Sequence, residues 1–262
     1  MSSHRPPTDL FRLDGRVAVV TGASSGLGAT FAVALAEAGA DVVVTARRAD
    51  RLAEVAAEVA ETGRRCVTVV GDVSNPDDCA AVARAAVEQL GRLDVLVNNA
   101  GTASAGPALR ADPAVFETVL QVNLAGAHHM AQAAAREMVK GKNGGSIVNI
   151  SSTLGLAGSD VPQAAYSASK AGLLGLTRDL AMQWTGRYGI RVNALAPGFF
   201  PSELTASLLE SDKGLAGVVA RTPMRRVGRP EELIGPLLLL ASDAGSYITG
   251  STLAVDGGWS LH

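Results

Sequence analysis

Seven short apolar runs, separated mostly by helical patterns, place the strongest constraint on how this chain folds. Runs such as RVAVVT, DVVVTA and IRVNALAPG are rich in β-branched and other apolar residues and carry few polar ones. Strands of this kind are buried on both faces, as in a parallel sheet covered by helices. Because crossover connections are right-handed, helices then lie on both faces of the sheet. The sequence therefore predicts a doubly wound α/β domain with a seven-stranded parallel sheet.

The same regularity indicates how the domain is organised. The 262 residues contain no linker, internal repeat or low-complexity segment. We therefore expect residues 13–262 to form one domain and residues 1–12 to form a flexible N-terminal arm.

Some helix boundaries follow from individual residues. Asn75 can cap the helix that opens at NPDD, with Pro76 in its first position. A long helical region is expected from about Pro113 to Lys140. Pro236, inside the helical pattern PEELIGPLLLLAS, predicts a distortion of the last helix.

Composition and charge argue against several classes of protein. A net charge of -2 gives no electrostatic reason to bind nucleic acid or an anionic membrane. No apolar run approaches the roughly 20 residues that span a bilayer, and the first residues lack the apolar core of a signal peptide. Cys66 and Cys79 fit neither a disulfide framework nor a metal cluster, and His128 and His129 are expected to be ordinary helix residues. We expect a cytoplasmic protein without a metal.

Glycine and polar residues gather where the predicted strands end. The segments TGASSGLG, ARR, GDVS, NNAG, SSTLG and APGFF follow the first six strands in that order. The carboxyl ends of parallel strands meet at one edge of the sheet, where ligands bind in open α/β sheets. Six unusual loops at one edge predict a nucleotide site.

The first of these loops suits a pyrophosphate. Gly22, Gly26 and Gly28 allow a sharp turn and a close approach of backbone to a ligand. The helix N-terminus that follows offers free N–H groups and the positive end of a dipole. The spacing G-x-x-x-G-x-G differs from the common dinucleotide fingerprint, and a plain tight turn is the alternative.

The second loop bears on which nucleotide binds. An acidic residue often holds the ribose 2′-OH of NAD at this point, but here Ala46 is followed by Arg47. A guanidinium suits a 2′-phosphate through its charge and its bidentate geometry. We therefore expect NADP(H) to be preferred, with NAD(H) as an alternative. Arg48 and Thr45 have a supporting role at best. The competing interpretation is that Arg47 and Arg48 are simply the solvated start of the next helix.

The segment YSASK places Tyr166 and Lys170 one helical turn apart on the same face. The pair can be a proton donor with a cation that adjusts its pKa. In isolation, two polar residues on an amphipathic helix explain the pattern equally well.

Together these segments resemble the short-chain dehydrogenase/reductase family over nearly the whole chain. Thr21–Gly28 is similar to its T-G-x-x-x-G-x-G motif, Asn98–Gly101 to its N-N-A-G motif, and Tyr166 with Lys170 to its Y-x-x-x-K motif. Asn123, in LQVNLAG, matches the active-site asparagine of the family. The resemblance implies a Rossmann-type oxidoreductase, similar to 3-oxoacyl-acyl-carrier-protein reductases, and a homotetramer.

The resemblance also points to a catalytic serine, and Ser152 fits the family pattern S-x-x-G with Gly155. The family interval from this serine to the tyrosine is thirteen residues, whereas Ser152 and Tyr166 are fourteen apart, which would make Thr153 the alternative. We interpret the extra residue as an insertion in the loop GSDVPQ. Whether Ser151 or Ser152 points into the site stays open.

A set of cofactor residues is implied by the same motifs. It comprises Gly22, Ser24, Ser25, Gly26, Leu27, Gly28, Arg47, Arg48, Asp72, Val73, Asn99, Ala100, Gly101, Tyr166, Lys170, Pro197, Gly198, Phe199 and Ser202. Asp72 would lie in an adenine pocket, although a helix cap is nearly as good an interpretation. Ser202 stands near the threonine that holds the nicotinamide amide in the family, in a loop that Pro201 restricts.

The implied chemistry is proton exchange at a carbonyl or alcohol oxygen beside a cofactor that carries the hydride. Tyr166 would exchange the proton, and Lys170 would lower the phenol pKa and bind the ribose hydroxyls. Ser152 would hydrogen-bond the substrate oxygen. Asn123 would hold a water through which Lys170 reaches solvent.

The substrate is the least determined part. Leu154, Gln163 and Phe200 are the candidate substrate residues, in segments with few charges, and they favour an apolar or acyl-type carbonyl. The alternatives are an NAD-dependent alcohol, polyol or steroid dehydrogenase and, more remotely, a non-catalytic dinucleotide sensor. The basic segment TPMRRVGRP would face an acyl-carrier protein, solvent or another subunit.

Overall fold

The computed structural model describes residues 6–261, and in that part of the chain seven parallel strands form one sheet. The strands are β1 (Val17–Thr21), β2 (Asp41–Ala46), β3 (Cys66–Val70), β4 (Val95–Asn98), β5 (Gly145–Ile150), β6 (Ile190–Pro197) and β7 (Thr252–Val255). Their order across the sheet is β3-β2-β1-β4-β5-β6-β7. The predicted doubly wound Rossmann-type fold is confirmed.

The chain changes its direction of travel across the sheet after β3. β1 pairs with β2 on one side and with β4 on the other, so that Val19 lies beside Val43 and Leu96. Every strand pair is parallel, and the carboxyl ends therefore share one edge. A crevice opens at this edge between β1 and β4, where the strand order reverses.

Helices cover both faces of the sheet. They are α1 (Gly26–Glu37), α2 (Ala49–Glu61), α3 (Pro76–Leu90), α4 (Pro113–Leu120), α5 (Gly126–Gly141), α6 (Ala164–Tyr188), α7 (Ala206–Leu209), α8 (Asp212–Arg221) and α9 (Ile234–Ala241).

Two hydrophobic clusters fill the space between the sheet and these helices. Successive residues of a strand point to opposite faces, and accordingly Val20 belongs to one cluster and Val19 to the other. The first cluster contains Phe31 of α1 and Leu237 of α9. The second contains Met130 of α5 together with residues of α3 and α6. Burial on both faces explains why the strand sequences are almost entirely apolar.

The long helical region that the sequence predicts is interrupted. α4 ends at Leu120, and Gln121–Ala125 form a π-helical turn before α5 begins. The N–H of Gly126 donates to the carbonyl of Gln121 in this turn. Widening by one residue changes the direction in which Asn123, inside the turn, projects.

The predicted helix PEELIGPLLLLAS, which contains Pro236, is divided into two helical segments. A short 3₁₀ helix, Pro230–Leu233, precedes α9, which places Pro236 in the first turn. The missing N–H of a proline is harmless there because first-turn N–H groups have no partner inside the helix.

The predicted N-terminal arm falls partly outside the description. Residues 1–5 lie outside the described residues, as does residue 262. Pro7–Phe11 form a 3₁₀ helix with none of its residues buried. Of the helices in residues 6–261, none is both long and apolar enough to cross a membrane. The same residues contain no group of three or more histidine, cysteine or acidic side chains that could hold a metal ion.

The predicted cap of α3 gives a stability test. The Asn75 side chain accepts a hydrogen bond from the N–H of Asp77 at 3.0 Å, with Pro76 at the first position. Asn75→Ala leaves that N–H without its partner, so we expect the free energy of unfolding to fall by about 1 kcal/mol. Urea unfolding measures this. Asn75→Asp keeps an acceptor and should stay near wild type; equal losses in both variants would contradict the capping role.

Candidate active site

A cavity of about 530 Å³ lies along the carboxyl ends of the strands. Its wall contains residues that directly follow six strands in turn: Gly22, Arg47, Gly71, Asn99, Ser151 and Gly198. The structure brings eighteen of the nineteen predicted cofactor residues to this wall: Gly22, Ser24, Ser25, Gly26, Leu27, Gly28, Arg47, Arg48, Asp72, Val73, Asn99, Ala100, Gly101, Tyr166, Lys170, Pro197, Gly198 and Ser202. The nineteenth, Phe199, packs against Trp259 with 5.5 Å between ring centroids.

The glycine-rich loop approaches the end of β4 so closely that side chains are excluded. A Cβ on Gly22 would lie 2.7 Å from Cα of Ala100, and one on Gly28 would lie 2.3 Å from the carbonyl oxygen of Gly22. The hydroxyl of Thr21 accepts hydrogen bonds from the N–H groups of Asn99 and Ala100, each at 3.0 Å. The result is a cradle of bare backbone at the start of α1, which fits the pyrophosphate of a dinucleotide.

The cavity wall after β2 and β3 carries opposite charges. Arg47 is 79% exposed, and its Nη1 lies 3.9 Å from a carboxylate oxygen of Asp72. Asp72 accepts hydrogen bonds from the backbone N–H and the hydroxyl of Ser74, at 2.9 and 2.7 Å. These bonds lower the pKa of the Asp72 carboxyl. Because Asn75 caps α3, the interpretation of Asp72 as the helix cap is wrong.

The catalytic candidates meet at the other end of the cavity. Tyr166 and Lys170 lie in the first two turns of α6, and Ser152 follows β5. The ammonium of Lys170 lies 5.5 Å from the centroid of the Tyr166 ring and donates a hydrogen bond to the carbonyl of Ile150 at 2.8 Å. A hydrogen bond with the Ser152 hydroxyl reaches the Tyr166 phenol. The phenol of Tyr166, the hydroxyl of Ser152 and the ammonium of Lys170 thus lie close together, and all three residues are buried.

Burial, rather than the neighbouring charge, controls the protonation of this pair. Burial raises the pKa of the Tyr166 phenol above its ordinary value, and the hydrogen bond with Ser152 only partly offsets this. Burial also lowers the pKa of Lys170, to about 8. A lowered pKa of the Tyr166 phenol, which was expected beside Lys170, is not seen in this structure, because desolvation by burial makes the net shift upward.

The three adjacent hydroxyls after β5 have different surroundings. Ser151 donates to the carbonyl of Lys170 at 2.9 Å, and Thr153 donates to a carboxylate oxygen of Asp256 at 3.1 Å. Both hydroxyls thus hold the fold of the site. Ser152 is the hydroxyl that reaches Tyr166, and it also accepts the N–H of Leu154 at 3.1 Å. The geometry favours Ser152, in spite of its interval of fourteen residues.

Asn123 fixes backbone beside the pair rather than lining the described cavity. Its side-chain oxygen accepts the N–H of Thr102 at 2.8 Å, and its amide donates to the carbonyl of Thr102 at 2.9 Å and to the hydroxyl of Ser169 at 3.0 Å. An added Cβ on Gly101 would lie 3.4 Å from Oδ1 of Asn123 and 3.6 Å from Nζ of Lys170. Asn123 therefore sets the chain path next to Lys170.

The loop after β6 is held by a hydroxyl that the sequence did not single out. Thr205 donates to the carbonyl of Phe200 at 2.6 Å and accepts the N–H of Ser202 at 3.0 Å. Ser202 and Thr205 both line the cavity, with Glu203 and Leu204 between them. The predicted nicotinamide-binding position is thus next to a second hydroxyl.

The three predicted substrate residues lie in different surroundings. Phe200 lines the cavity but is 4% exposed and belongs to the hydrophobic core. Leu154 packs with Tyr166 and Trp259 in a small apolar cluster. Gln163 is the residue before α6. Ala103, Ala157 and Phe199 flank this apolar cluster.

The predicted basic run is largely paired. Arg226 and Arg229 both contact the carboxylate of Glu232, at 2.6 and 3.5 Å. Arg225 donates to the carbonyl of Ala220 at 2.6 Å. Pairing reduces the field that this segment offers to an acidic partner.

Other wall residues carried no signal in the sequence. They are Thr102, Thr118, Val122, Ile150, Glu203 and Thr205, and they lie beside Thr45, Ala46, Gly71, Ser151 and Leu204, which belong to segments that the sequence had pointed to. Side chains of these types occur throughout such folds, so only the tertiary structure brings them to the cavity.

The depressed pKa of Lys170 predicts how stability depends on pH. Its pKa is 10.5 ordinarily and about 8 in the folded protein. Between these two pH values the unfolded chain binds more protons than the folded chain does. Burial of the charged ammonium therefore lowers the free energy of unfolding by its full amount below about pH 8, and by less as the pH rises above it. We expect this residue alone to raise the free energy of unfolding by about 2 kcal/mol from about pH 7.5 to about pH 9.5.

Urea unfolding of wild type and Lys170→Met at both pH values checks this expectation. The rise should be missing from Lys170→Met and retained in Lys213→Met, which alters an exposed lysine of α8. The same pH dependence in wild type and Lys170→Met would show that the buried ammonium is not the cause.

Comparisons with known proteins agree with this geometry. A family model described as enoyl-(acyl carrier protein) reductase matches residues 22–260. Over 249 residues the chain is 39% identical to 2-dehydro-3-deoxy-D-gluconate 5-dehydrogenase of Escherichia coli (strain K12), covering 95% of this chain and 97% of that protein. It is 38% identical over 247 residues to a 3-oxoacyl-[acyl-carrier-protein] reductase of Thermotoga maritima, covering 94% and 98%.

A solved structure extends the likeness to three dimensions. The gluconate 5-dehydrogenase of Burkholderia cenocepacia J2315, in complex with NADP and tartrate, matches with a TM-score of 0.93 and 36% identity. The match covers 98% of this chain and 100% of that one. With the glycine cradle and the Ser152, Tyr166 and Lys170 group at one sheet edge, these likenesses mean that the chain belongs to the short-chain dehydrogenase/reductase family of oxidoreductases.

Proposed function

We propose that this protein transfers a hydride between NADP(H) and a ketone or secondary alcohol, with Tyr166 as the general acid/base. One observation carries the proposal: Ser152, Tyr166 and Lys170 stand at one end of a cavity that also contains the glycine cradle and Arg47. Proton-transfer groups and a dinucleotide site in one cavity are what a hydride-transfer reaction requires.

The residues of the cavity fit a nicotinamide dinucleotide. The backbone of Gly22–Gly28 would hold the pyrophosphate, since Gly22 and Gly28 let the chain pack closely without a Cβ and the first N–H groups of a helix have no partner inside it. Arg47 and Arg48 would hold a 2′-phosphate, and Asp72 with Val73 would border the adenine. Ser202 and Lys170 would hold the nicotinamide amide and its ribose. The bound cofactor would supply or accept the hydride.

The burial of Tyr166 suits the donation of a proton. A phenol whose pKa is raised by burial stays protonated at neutral pH and can give its proton to a carbonyl oxygen. Ser152 would donate a second hydrogen bond to the same oxygen as negative charge develops on it. In the reverse direction Tyr166 must take up the alcohol proton, which a higher pH favours.

Lys170 and Asn123 would complete the proton path. With a pKa of about 8, the amine can both hold and release a proton near neutral pH. Asn123 would place a water beside Lys170, through which the proton reaches solvent. Its own amide is engaged with Thr102 and Ser169, so it would act by shaping the backbone around that water.

The small apolar cluster favours an apolar or acyl-type substrate. Leu154 and Trp259 pack around Tyr166, with Phe199 at their edge. An apolar chain or ring beside the reacting carbonyl would bury surface against these side chains.

A hydroxy acid is the second candidate, and a specific contact favours it. The Arg221 guanidinium lies 3.6 Å from the centroid of the Trp259 ring, near enough to the cluster for a carboxylate to meet a positive charge. Two relatives bear names of gluconate-type dehydrogenases. Comparing reduction of a cyclohexanone, an acetoacetyl thioester and a keto-gluconate separates these substrate classes.

A cytoplasmic homotetramer remains the proposed setting. The proposed subunit contacts use α5 and α6, where Val139 and Met182 are exposed. An acyl-carrier protein is a weaker proposal, because Glu232 pairs with Arg226 and Arg229.

Removing the phenol hydroxyl tests the reaction. Tyr166→Phe keeps the ring that packs with Leu154 and Trp259 but cannot exchange a proton. We expect kcat for reduction of the best substrate to fall at least about a hundredfold, with the dissociation constant for NADPH changed less than about twofold. Steady-state kinetics and cofactor fluorescence measure the two quantities.

Tyr188→Phe is the matched control, because Tyr188 ends the same helix and stacks with Arg187 away from the cavity wall. It should keep wild-type activity. Full activity of Tyr166→Phe would remove the proposed acid/base, whereas failure of wild type to bind either cofactor would remove the whole proposal.

Removing Arg47 tests the choice of cofactor. Its exposed guanidinium faces the cavity, and loss of a charge-assisted contact to a 2′-phosphate should weaken NADPH binding about tenfold. NADH, which lacks that phosphate, should bind Arg47→Ala as it binds wild type. Side-by-side fluorescence titrations give both constants. Arg84→Ala, an exposed arginine of α3, is the control, and an equal effect of Arg47→Ala on both cofactors would refute the phosphate role.

A further inference from the structure

Arg48, directly before α2, is bridged to a residue far away in the sequence. Its Nη1 donates to Oε1 of Glu203 at 3.2 Å and its Nη2 to Oε2 at 3.0 Å. Glu203 belongs to the loop after β6, and both residues line the cavity. These two hydrogen bonds join the segment after β2 to the loop after β6.

The serines of the glycine-rich loop also accept hydrogen bonds from Arg48. Its Nε and Nη2 donate to the hydroxyl of Ser24 at 3.3 and 3.1 Å. Nη2 also donates to the hydroxyl of Ser25 at 2.9 Å. Arg48, for which the sequence predicted at most a supporting role, thus makes more hydrogen bonds than its neighbour Arg47 does.

Charges at this end of the cavity are balanced. Arg48 faces Glu203 at 3.0 Å, and Arg47 faces Asp72 at 3.9 Å. Each of the two guanidinium groups therefore faces a carboxylate. The segment ARR alone reveals the two positive charges but not the two negative ones. An anion that binds here meets both attraction and repulsion.

We propose that Glu203 is a specificity-determining residue that limits the preference for a 2′-phosphate over a 2′-hydroxyl. The inference rests on the proposed function, because it concerns the same dinucleotide site. A phosphate monoester carries about -1.5 to -2 charges at neutral pH, and on Arg48 it would stand beside the Glu203 carboxylate. A ribose hydroxyl can instead donate a hydrogen bond to that carboxylate. Glu203 thereby disfavours NADP(H) and favours NAD(H).

Glu203→Gln tests this, since it removes the charge and keeps the size of the side chain. We expect NADPH to bind about three- to fivefold more tightly to the variant than to wild type. NADH affinity should stay the same or fall. Isothermal titration calorimetry of both cofactors gives the ratio of dissociation constants, and the gain for NADPH should shrink at about 0.3 M salt.

Two further probes separate charge at this point from other effects. Glu58→Gln removes an exposed carboxylate on α2, away from Glu203, and should leave the ratio unchanged. Adenosine 2′,5′-bisphosphate, which has no nicotinamide, should show the same gain with Glu203→Gln as NADPH does. That result would place the effect at the phosphate.

The possible results distinguish this inference from the proposed function. If wild type binds both cofactors and Glu203→Gln has the wild-type ratio, the specificity role is refuted and the proposed function stands. Equal tightening or equal weakening of NADPH and NADH also refutes it, because Glu203 would then act only on the loop. If wild type binds neither cofactor, the proposed function itself fails.

Discussion

The site depends on how closely the first loop of the sheet approaches the end of β4. There is no room for a Cβ on Gly22 where the loop crosses Ala100, nor for one on Gly28 beside the carbonyl of Gly22. The hydroxyl of Thr21 fastens the same crossing through two backbone N–H groups. Because β1 and β4 are the strands between which the order reverses, this contact sets the floor of the crevice. A bulkier residue here would displace the backbone at the start of α1 or at the end of β4.

Much of this arrangement could be predicted from the sequence, and the reason is physical. Strands buried on both faces must be apolar. A run such as DVVVTA, which is β2 from Asp41 to Ala46, can therefore be recognised as a strand from the sequence. Parallel strands share one carboxyl edge, so residues as distant as Gly22 and Lys170 could be expected at one place. Asn75 was predictable as a cap because its effect is local.

The rest required three-dimensional information. The side chain of Asn123, inside the π-helical turn, hydrogen-bonds to Thr102 and Ser169, and no local sequence pattern predicts these contacts. The distance between Arg48 and Glu203 is 155 positions along the chain, so their pairing had no sequence signal. For Tyr166, adjacency to a cation suggested a lowered pKa, whereas the extent of burial, visible only in the folded chain, reverses the direction.

The hydrogen bond between Thr153 and Asp256 links the turn that carries Ser152 to the segment after β7. Trp259, in the same segment, packs with Tyr166. The surroundings of the proton-transfer groups are therefore complete only when the segment after the last strand is in place, so a chain that lacked this segment would keep the glycine cradle of β1 and β4 but lose part of the wall around Tyr166.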